Sequence, residues 1–178
     1  NGVIDRFGQI EPKVLFTADG YFYGGKTLDS LGLVATVVSR IASIQQVIVI
    51  PFVQSSPDLS AVESADPSAL LFERFGTSAT AIDFAMLPFD QPLYILYSSG
   101  TTGVPKCIVH GAGGTLLQHR KEHLLHTDLK RSDRLFYFTT CGWMMWNWLM
   151  SGLATGATLV LYDGSPFFPD KNVLWRLA

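Results

Sequence analysis

Nothing in the sequence narrows the fold more than residues 46–52, Gln-Val-Ile-Val-Ile-Pro-Phe. The run is apolar without alternation, β-branched, too short for a buried helix and interrupted by Pro51, so it reads as a strand. A strand that is apolar on both of its alternating faces has to be covered on both sides, as in a largely parallel sheet flanked by helices. Ahead of it, Leu28, Leu31, Val34, Val38 and Ile41 recur at intervals of three and four. That spacing predicts an amphipathic helix, with Thr27 as its N-cap.

The alternation continues. Strands are predicted over residues 14–18, 21–23, 93–97, 107–109, 134–138 and 158–162. Helices are predicted from Gly113-Gly114 to about His126, over 143–153 and from Asp170 to Leu177, with a short one over 68–75. Residues 54–68, rich in Ser, Pro and Asp, read as a surface loop, residues 76–89 carry little pattern, and Asp19-Gly20 and Asp163-Gly164 read as turns. Strands interleaved with helices imply an α/β architecture with largely parallel pairing, in one domain.

Composition removes several classes of function. Charged residues make up 16% of the 178 residues, against about 25% in an ordinary soluble domain. With a mean hydropathy of +0.25, the chain reads either as a membrane protein or as a slice of a larger soluble one. No uninterrupted apolar run is long enough for a spanning helix, which leaves the second reading. The absence of an initiator Met and of a signal peptide points the same way, to an internal piece of a cytoplasmic protein. The net charge of −2 and the scattered basic residues argue against a nucleic-acid partner. Cys107 and Cys141 lack C-x-x-C spacing and are expected to be buried thiols in a reducing compartment.

The chemistry sits in Tyr97-Ser98-Ser99-Gly100-Thr101-Thr102-Gly103-Val104-Pro105-Lys106. Gly100 and Gly103 allow the backbone to turn its N–H groups inward and leave room for a bulky anion. Ser98, Ser99, Thr101 and Thr102 add hydroxyl donors, and Lys106 adds a full positive charge. The combination is a phosphate cradle. It is not a Walker A loop, because Pro105 separates Gly103 from Lys106 and a strand, not a helix, follows.

This loop, placed after an apolar strand, resembles the signature of the adenylate-forming enzymes, the superfamily of AMP-forming acyl-CoA synthetases. The segments Phe16-Thr-Ala-Asp-Gly-Tyr-Phe-Tyr-Gly-Gly-Lys and Phe138-Thr-Thr-Cys-Gly-Trp-Met-Met-Trp-Asn are similar to the acetyl- and acetoacetyl-CoA synthetase branch. Gly142-Trp-Met-Met-Trp-Asn and Val160-Leu-Tyr-Asp-Gly-Ser-Pro favour its acetoacetate-activating members. Cys107 departs from the family, which usually places Gly or Ala there.

The resemblance implies that the chain is part of the large N-terminal adenylation domain, with the C-terminal lid domain absent. It implies ATP with Mg²⁺, coenzyme A and acetoacetate as small-molecule partners, and neither membrane insertion nor nucleic acid. Ser98, Ser99, Gly100, Thr101, Thr102, Gly103 and Lys106 would hold the ATP phosphates. Trp143, Met144 and Met145 match acyl-pocket positions; the competing reading makes 143–150 a plain core helix, to which Trp146 and Trp148 are assigned. Lys26 matches a residue that contacts coenzyme A phosphate, or is a solvated lysine in a turn. His119, His123 and His126 share a helix face, which reads as solvated rather than as a metal site. No catalytic side chain is assigned. The family's adenine, ribose and lid motifs are expected beyond these residues, so the segment alone is expected to be inactive. An acetyl- or other short-chain acyl-CoA synthetase, and a non-catalytic nucleotide-binding remnant, stand as alternatives.

Overall fold

The computed structural model describes residues 2–65, 69–98 and 103–178. Two compact units are present. One gathers Asn1–Asp83, Thr101–Pro105 and Asp163–Ala178; the other holds Phe84–Gly100 and Lys106–Tyr162.

After a single helical turn, α1 (Ile4–Phe7), the first unit forms strand β1 (Val14–Ala18), as expected. Two short strands follow, β2 (Gly20–Tyr23) and β3 (Lys26–Asp29). These pair antiparallel with Tyr23 opposite Lys26, so Gly24-Gly25 is a two-residue hairpin turn. Both glycines have positive φ, +58° and +75°, as the tight turn that suits twisted strands demands. The hairpin overturns the expectation of a helix starting at Thr27, which instead pairs with Phe22. Helix α2 runs only over Leu31–Val38. The hydroxyl of Ser30 makes no capping bond; Asp29 Oδ2 accepts the Gly32 N–H at 3.2 Å.

Strand β4 (Gln46–Ile50) lies between β1 and β5 (Ala69–Leu71), parallel to both. Val47, Ile48 and Val49 are each fully buried, so the strand is covered on both faces as its composition required. On one face Val47 and Val49 pack with Leu31, Val34 and Val38 of α2, and with Ile41, Ile44 and Val62. Val62 comes from α3 (Ser60–Glu63), a helical turn inside the stretch expected to be a loop. On the other face Phe16 stands in register beside Ile48, and its ring meets those of Phe72 and Phe75 edge-on at 6.5 and 5.4 Å. The short helix expected over 68–75 is instead β5 followed by a tight turn, Phe72–Arg74; Ser68 lies outside the described residues. Pairing with β4 outweighs the helical propensity of Ala69-Leu70-Leu71 because it satisfies the backbone and buries Ala69 together.

In the second unit β6 (Pro92–Ser98) and β7 (Lys106–Gly111) form an antiparallel ribbon. Helix α4 (Ala112–Lys121) continues into a wider turn at Glu122–His126. The start of α4 needs Gly113, because a Cβ there would fall 2.2 Å from the Phe89 ring. Strand β8 (Arg134–Phe136), helix α5 (Met144–Ser151) and strand β9 (Thr158–Val160) complete the unit, β8 and β9 pairing parallel. Its core is Leu129, Leu135, Leu149 and Ala157, with Trp148 and Leu159 against them. The last helix, α6 (Val173–Leu177), starts three residues later than expected. No helix among the described residues is long and apolar enough to cross a membrane.

Asp19, read from the sequence as half of a turn pair, is buried. Its Oδ1 accepts the N–H groups of Phe52 and Val53 at 2.8 and 2.9 Å, and Oδ2 accepts that of Gln54 at 2.8 Å. Burial pushes this carboxyl up, but the N–H donors of Val53, Phe52 and Gln54 together hold it below the ordinary aspartate value. A carboxyl so lowered stabilises the fold in full above the ordinary aspartate range. That contribution is lost as pH falls through the lower native value, because the unfolded chain takes up its proton first. We therefore expect Asp19→Asn to destabilise the chain by about 2 kcal/mol at neutral pH and to flatten the acid limb of a plot of urea midpoint against pH.

Candidate functional site

Ser98 and Lys106 are paired residues at the open end of the β6–β7 ribbon, with Tyr97 opposite Cys107 one step inward. Antiparallel pairing thus brings a hydroxyl and an ammonium to opposite sides of the mouth from which the glycine-rich loop projects. Ser99, Gly100, Thr101 and Thr102 lie outside the described residues. Gly103 has φ +94° with open space around it, a conformation that a side chain would strain. The loop leaves through Pro105, whose carbonyl accepts the Gln9 side-chain N–H at 2.9 Å. Lys106 is exposed, and among the described residues no carboxylate pairs with it; the ion pairs formed there are Lys130–Asp128 and Arg176–Asp170. The charge is available to an incoming anion.

The other candidates lie apart from this loop in sequence. Trp143 occupies the N-cap of α5 in an extended conformation (φ −113°, ψ 144°). It is 64% exposed and Met144 is 52% exposed, whereas Met145 is half-buried. The single buried residue of α5 is Leu149. The helix therefore spends Leu149 and Trp148 on the core and leaves Trp143 and Met144 out of it, against the reading of 143–150 as a plain core helix. Trp146 is half-buried. Lys26 is exposed on β3, directly after the Gly24-Gly25 turn, and a Cβ on Gly25 would strike the Phe168 ring at 2.6 Å.

The cysteines and the histidines depart from expectation. Cys107 and Cys141 are exposed, not buried. Cys107 lies in the outer half of β7, where residues 106–109 are all exposed, because a two-stranded ribbon hides little of either face; Cys141 lies in the turn before α5. The histidine group is not a solvated face either. His126 is exposed and His119 half-buried, but His123 is fully buried, its Nε2 2.9 Å from the Trp148 carbonyl and 3.1 Å from Ser151 Oγ. Burial lowers the His119 imidazole from its ordinary value against the opposing pull of Glu122. Among the described residues no three His, Cys, Asp or Glu side chains gather as a metal site.

Sequence reasoning missed Asp19 and His123. An Asp-Gly pair signals a turn whether or not its carboxylate is captured elsewhere, and the partners of His123 lie 25 and 28 residues away.

The sequence matches the family described as AMP-binding enzyme over residues 4–178. The chain belongs to that family. It is 55% identical over 177 residues to the acetoacetyl-coenzyme A synthetase of Rhizobium meliloti (strain 1021), covering 99% of this chain and 27% of that protein. It is also 47% identical over 171 residues to the malonamoyl-CoA synthetase vrtB of Penicillium aethiopicum, covering 94% of this chain and 24% of the other. Among solved structures, the acetoacetyl-CoA synthetase from Streptomyces lividans superposes with a TM-score of 0.89 at 47% identity, over 99% of this chain and 26% of that one. The α/β arrangement described above is thus that of one part of an AMP-binding enzyme, and the chain spans about a quarter of the length of these relatives.

Because α5 divides its side chains between core and surface, the two classes should respond differently to truncation. Leu149→Ala is expected to cost about 2–5 kcal/mol. Trp143→Ala is expected to leave the unfolding free energy, read from urea titration, within roughly 0.5 kcal/mol of wild type.

Proposed function

We propose that this chain is the phosphate-binding part of an acyl-CoA synthetase that activates a short carboxylic acid bearing a carbonyl β to its carboxylate, acetoacetate first among them. The reading rests above all on Ser98 facing Lys106 across the mouth of the β6–β7 ribbon, at the base of a loop rich in glycine and hydroxyls. In the proposed first half-reaction the carboxylate attacks the α-phosphorus of Mg-ATP, giving an acyl adenylate and pyrophosphate. In the second, the thiol of coenzyme A displaces AMP to give the thioester.

The demand on the protein is electrostatic. Negative charge accumulates on the departing pyrophosphate, and preorganised donors placed around it lower the barrier. Lys106 would supply the full charge. The hydroxyls of Ser98, Ser99, Thr101 and Thr102, with the amides freed by Gly100 and Gly103, would supply the directed hydrogen bonds. No side-chain nucleophile is needed, because the carboxylate itself attacks; the remaining requirement is that carboxylate oxygen and phosphorus be held close and in line. Trp143, Met144 and Met145 would form the wall of the acyl slot, where a thioether adapts to an irregular gap. Lys26 would meet a phosphate of coenzyme A.

The acid follows from the chemistry that two relatives' names share. Acetoacetate and malonamate both carry a three-position carbonyl, capped by a methyl in one and by an amino group of similar size in the other. Butyrate lacks that carbonyl.

Acid-dependent ATP–pyrophosphate exchange by the enzyme that carries this segment tests the proposal. Lys106→Met is expected to lower kcat about 10²- to 10³-fold; an unchanged rate would remove the phosphate assignment. Acetoacetate and malonamate should both be activated in preference to butyrate and acetate, and preference for either of the latter would sink the substrate class alone. Lys26→Ala should raise the KM for coenzyme A roughly tenfold, the loss expected of one charged hydrogen bond, without altering the exchange reaction, which precedes thiol entry.

A further inference from the structure

Helix α5 ends in an unusual distribution of hydrogen bonds. The Gly152 N–H, which in a continuing α-helix would reach the Trp148 carbonyl, is directed at Leu149 and Met150. The freed Trp148 carbonyl is taken up by side chains, with Ser151 Oγ donating to it at 2.7 Å and His123 Nε2 donating at 2.9 Å. A carbonyl only accepts, so Nε2 carries the ring hydrogen. The imidazole lies against the Trp148 ring with centroids 4.3 Å apart.

The other end of the same tryptophan is held by the neighbouring residue. Trp148 Nε1 donates to Glu122 Oε2 at 2.8 Å, and Glu122 Oε1 accepts from Gln118 Nε2 at 2.6 Å. Partial burial pushes the Glu122 carboxyl up, but these two donors, with the charges of Lys121 and His119, hold it below the ordinary glutamate value, so it stays an acceptor. Nearby on α4, Arg120 Nη1 donates to the Ala154 carbonyl at 3.1 Å. The C-terminal end of α5 also sits tightly on β8, since a Cβ on Gly152 would come within 2.7 Å of Leu135 Cδ2. The helix is thus gripped over its last turn, while Trp143 and Met144 at its start are exposed.

Packing alone does not account for a histidine here. His123 is fully buried and its Nδ1 has no hydrogen-bond partner, which an apolar side chain of equal volume would avoid. What imidazole adds is a rigid, directed N–H. Met144 precedes Trp148 by four residues, so the two share a face of α5 about one turn apart. Holding Trp148 by both its carbonyl and its indole therefore fixes the rotation and height of the turn that carries Met144.

We infer that His123, with Glu122, is a positioning residue for the acyl slot, acting through Trp148 to set where Trp143 and Met144 stand. This rests on the assignment of Trp143 and Met144 to that slot. A displacement of the slot by a fraction of an ångström misaligns the carboxylate with the α-phosphorus and leaves the nucleotide site untouched.

The test is steady-state kinetics of the enzyme that carries this segment, with His123→Met, His123→Gln and Trp143→Ala in parallel. His123→Met keeps the volume and removes the donor; it should raise the KM for the acyl acid about tenfold or more while the KM for ATP stays within about twofold of wild type. His123→Gln, whose amide N–H can still reach the Trp148 carbonyl, should recover most of the loss. Equal rises in both constants, or a lower melting temperature with an unchanged KM for the acid, would overturn the inference and leave His123 a purely structural residue. If Trp143→Ala raises the KM for the acid and His123→Met does not, the positioning role fails and the slot survives. If Trp143→Ala has no effect, the slot assignment fails and takes this inference with it. Should His123→Met not fold, Trp148→Phe and Ser151→Ala remove the indole N–H and the second donor in turn. The same two KM values then decide: a rise for the acid alone supports the positioning role, and equal rises or no change overturn it.

Discussion

The carboxylate of Asp19 is the point on which the first unit turns. Its two oxygens take three successive backbone N–H groups from Phe52, Val53 and Gln54. Its own N–H donates to the Ile50 carbonyl at 3.2 Å, and its carbonyl accepts the Ser30 N–H at 3.0 Å. One residue therefore joins the end of β1, the entry to α2 and the chain leaving β4. Each of those backbone groups would otherwise be an unpaired donor or acceptor at the rim of the sheet, and the deficit of charged residues leaves few side chains to satisfy them. A buried carboxylate is costly unless it is well supplied with donors; this one is, which is why it stays ionised.

The second unit solves a similar problem with an imidazole and a hydroxyl. The end of α5 releases the Trp148 carbonyl, and His123 and Ser151 receive it, while Glu122 receives the indole N–H. In both units a buried polar residue takes up backbone groups that regular secondary structure leaves over. The consequence differs. Asp19 ties together backbone at the rim of the sheet in the first unit. The Trp148 node holds a helix whose exposed start is the proposed wall of a substrate slot.

The proposed phosphate site follows another logic. Antiparallel pairing alone places Ser98 opposite Lys106, and a loop with glycine at its strained position does the rest. Nothing in this arrangement requires a helix N-terminus, which distinguishes it from the loops of other nucleotide-binding folds. It also leaves Lys106 without a carboxylate partner among the described residues. A lysine neutralised within the protein would have to break that pair before meeting an anion; among the described residues Lys106 has no such pair to break.

Much of this was legible from residues alone. The strand from Gln46 to Ile50, the strands flanking the glycine-rich loop and the helix opened near Gly113 are local: each depends on side-chain period or on the backbone freedom of glycine, which neighbours in sequence decide. Several of the departures come from pairing or burial that a segment read by itself does not show. Thr27 became a strand residue because Gly24-Gly25 folded Lys26 back onto Tyr23, and residues 69–71 became a strand because β4 was there to pair with. Cys107 is exposed because a two-stranded ribbon covers little, and Cys141 because it lies in a turn. His123 and Asp19 took their roles from partners brought near only by the fold. The sequence by itself determined the α/β class and the family, and it carries the loop proposed to hold phosphate. Tertiary structure decided which polar residues are buried and which face of α5 is spared from the core, because burial and hydrogen-bond satisfaction depend on groups that are neighbours in space and not along the chain.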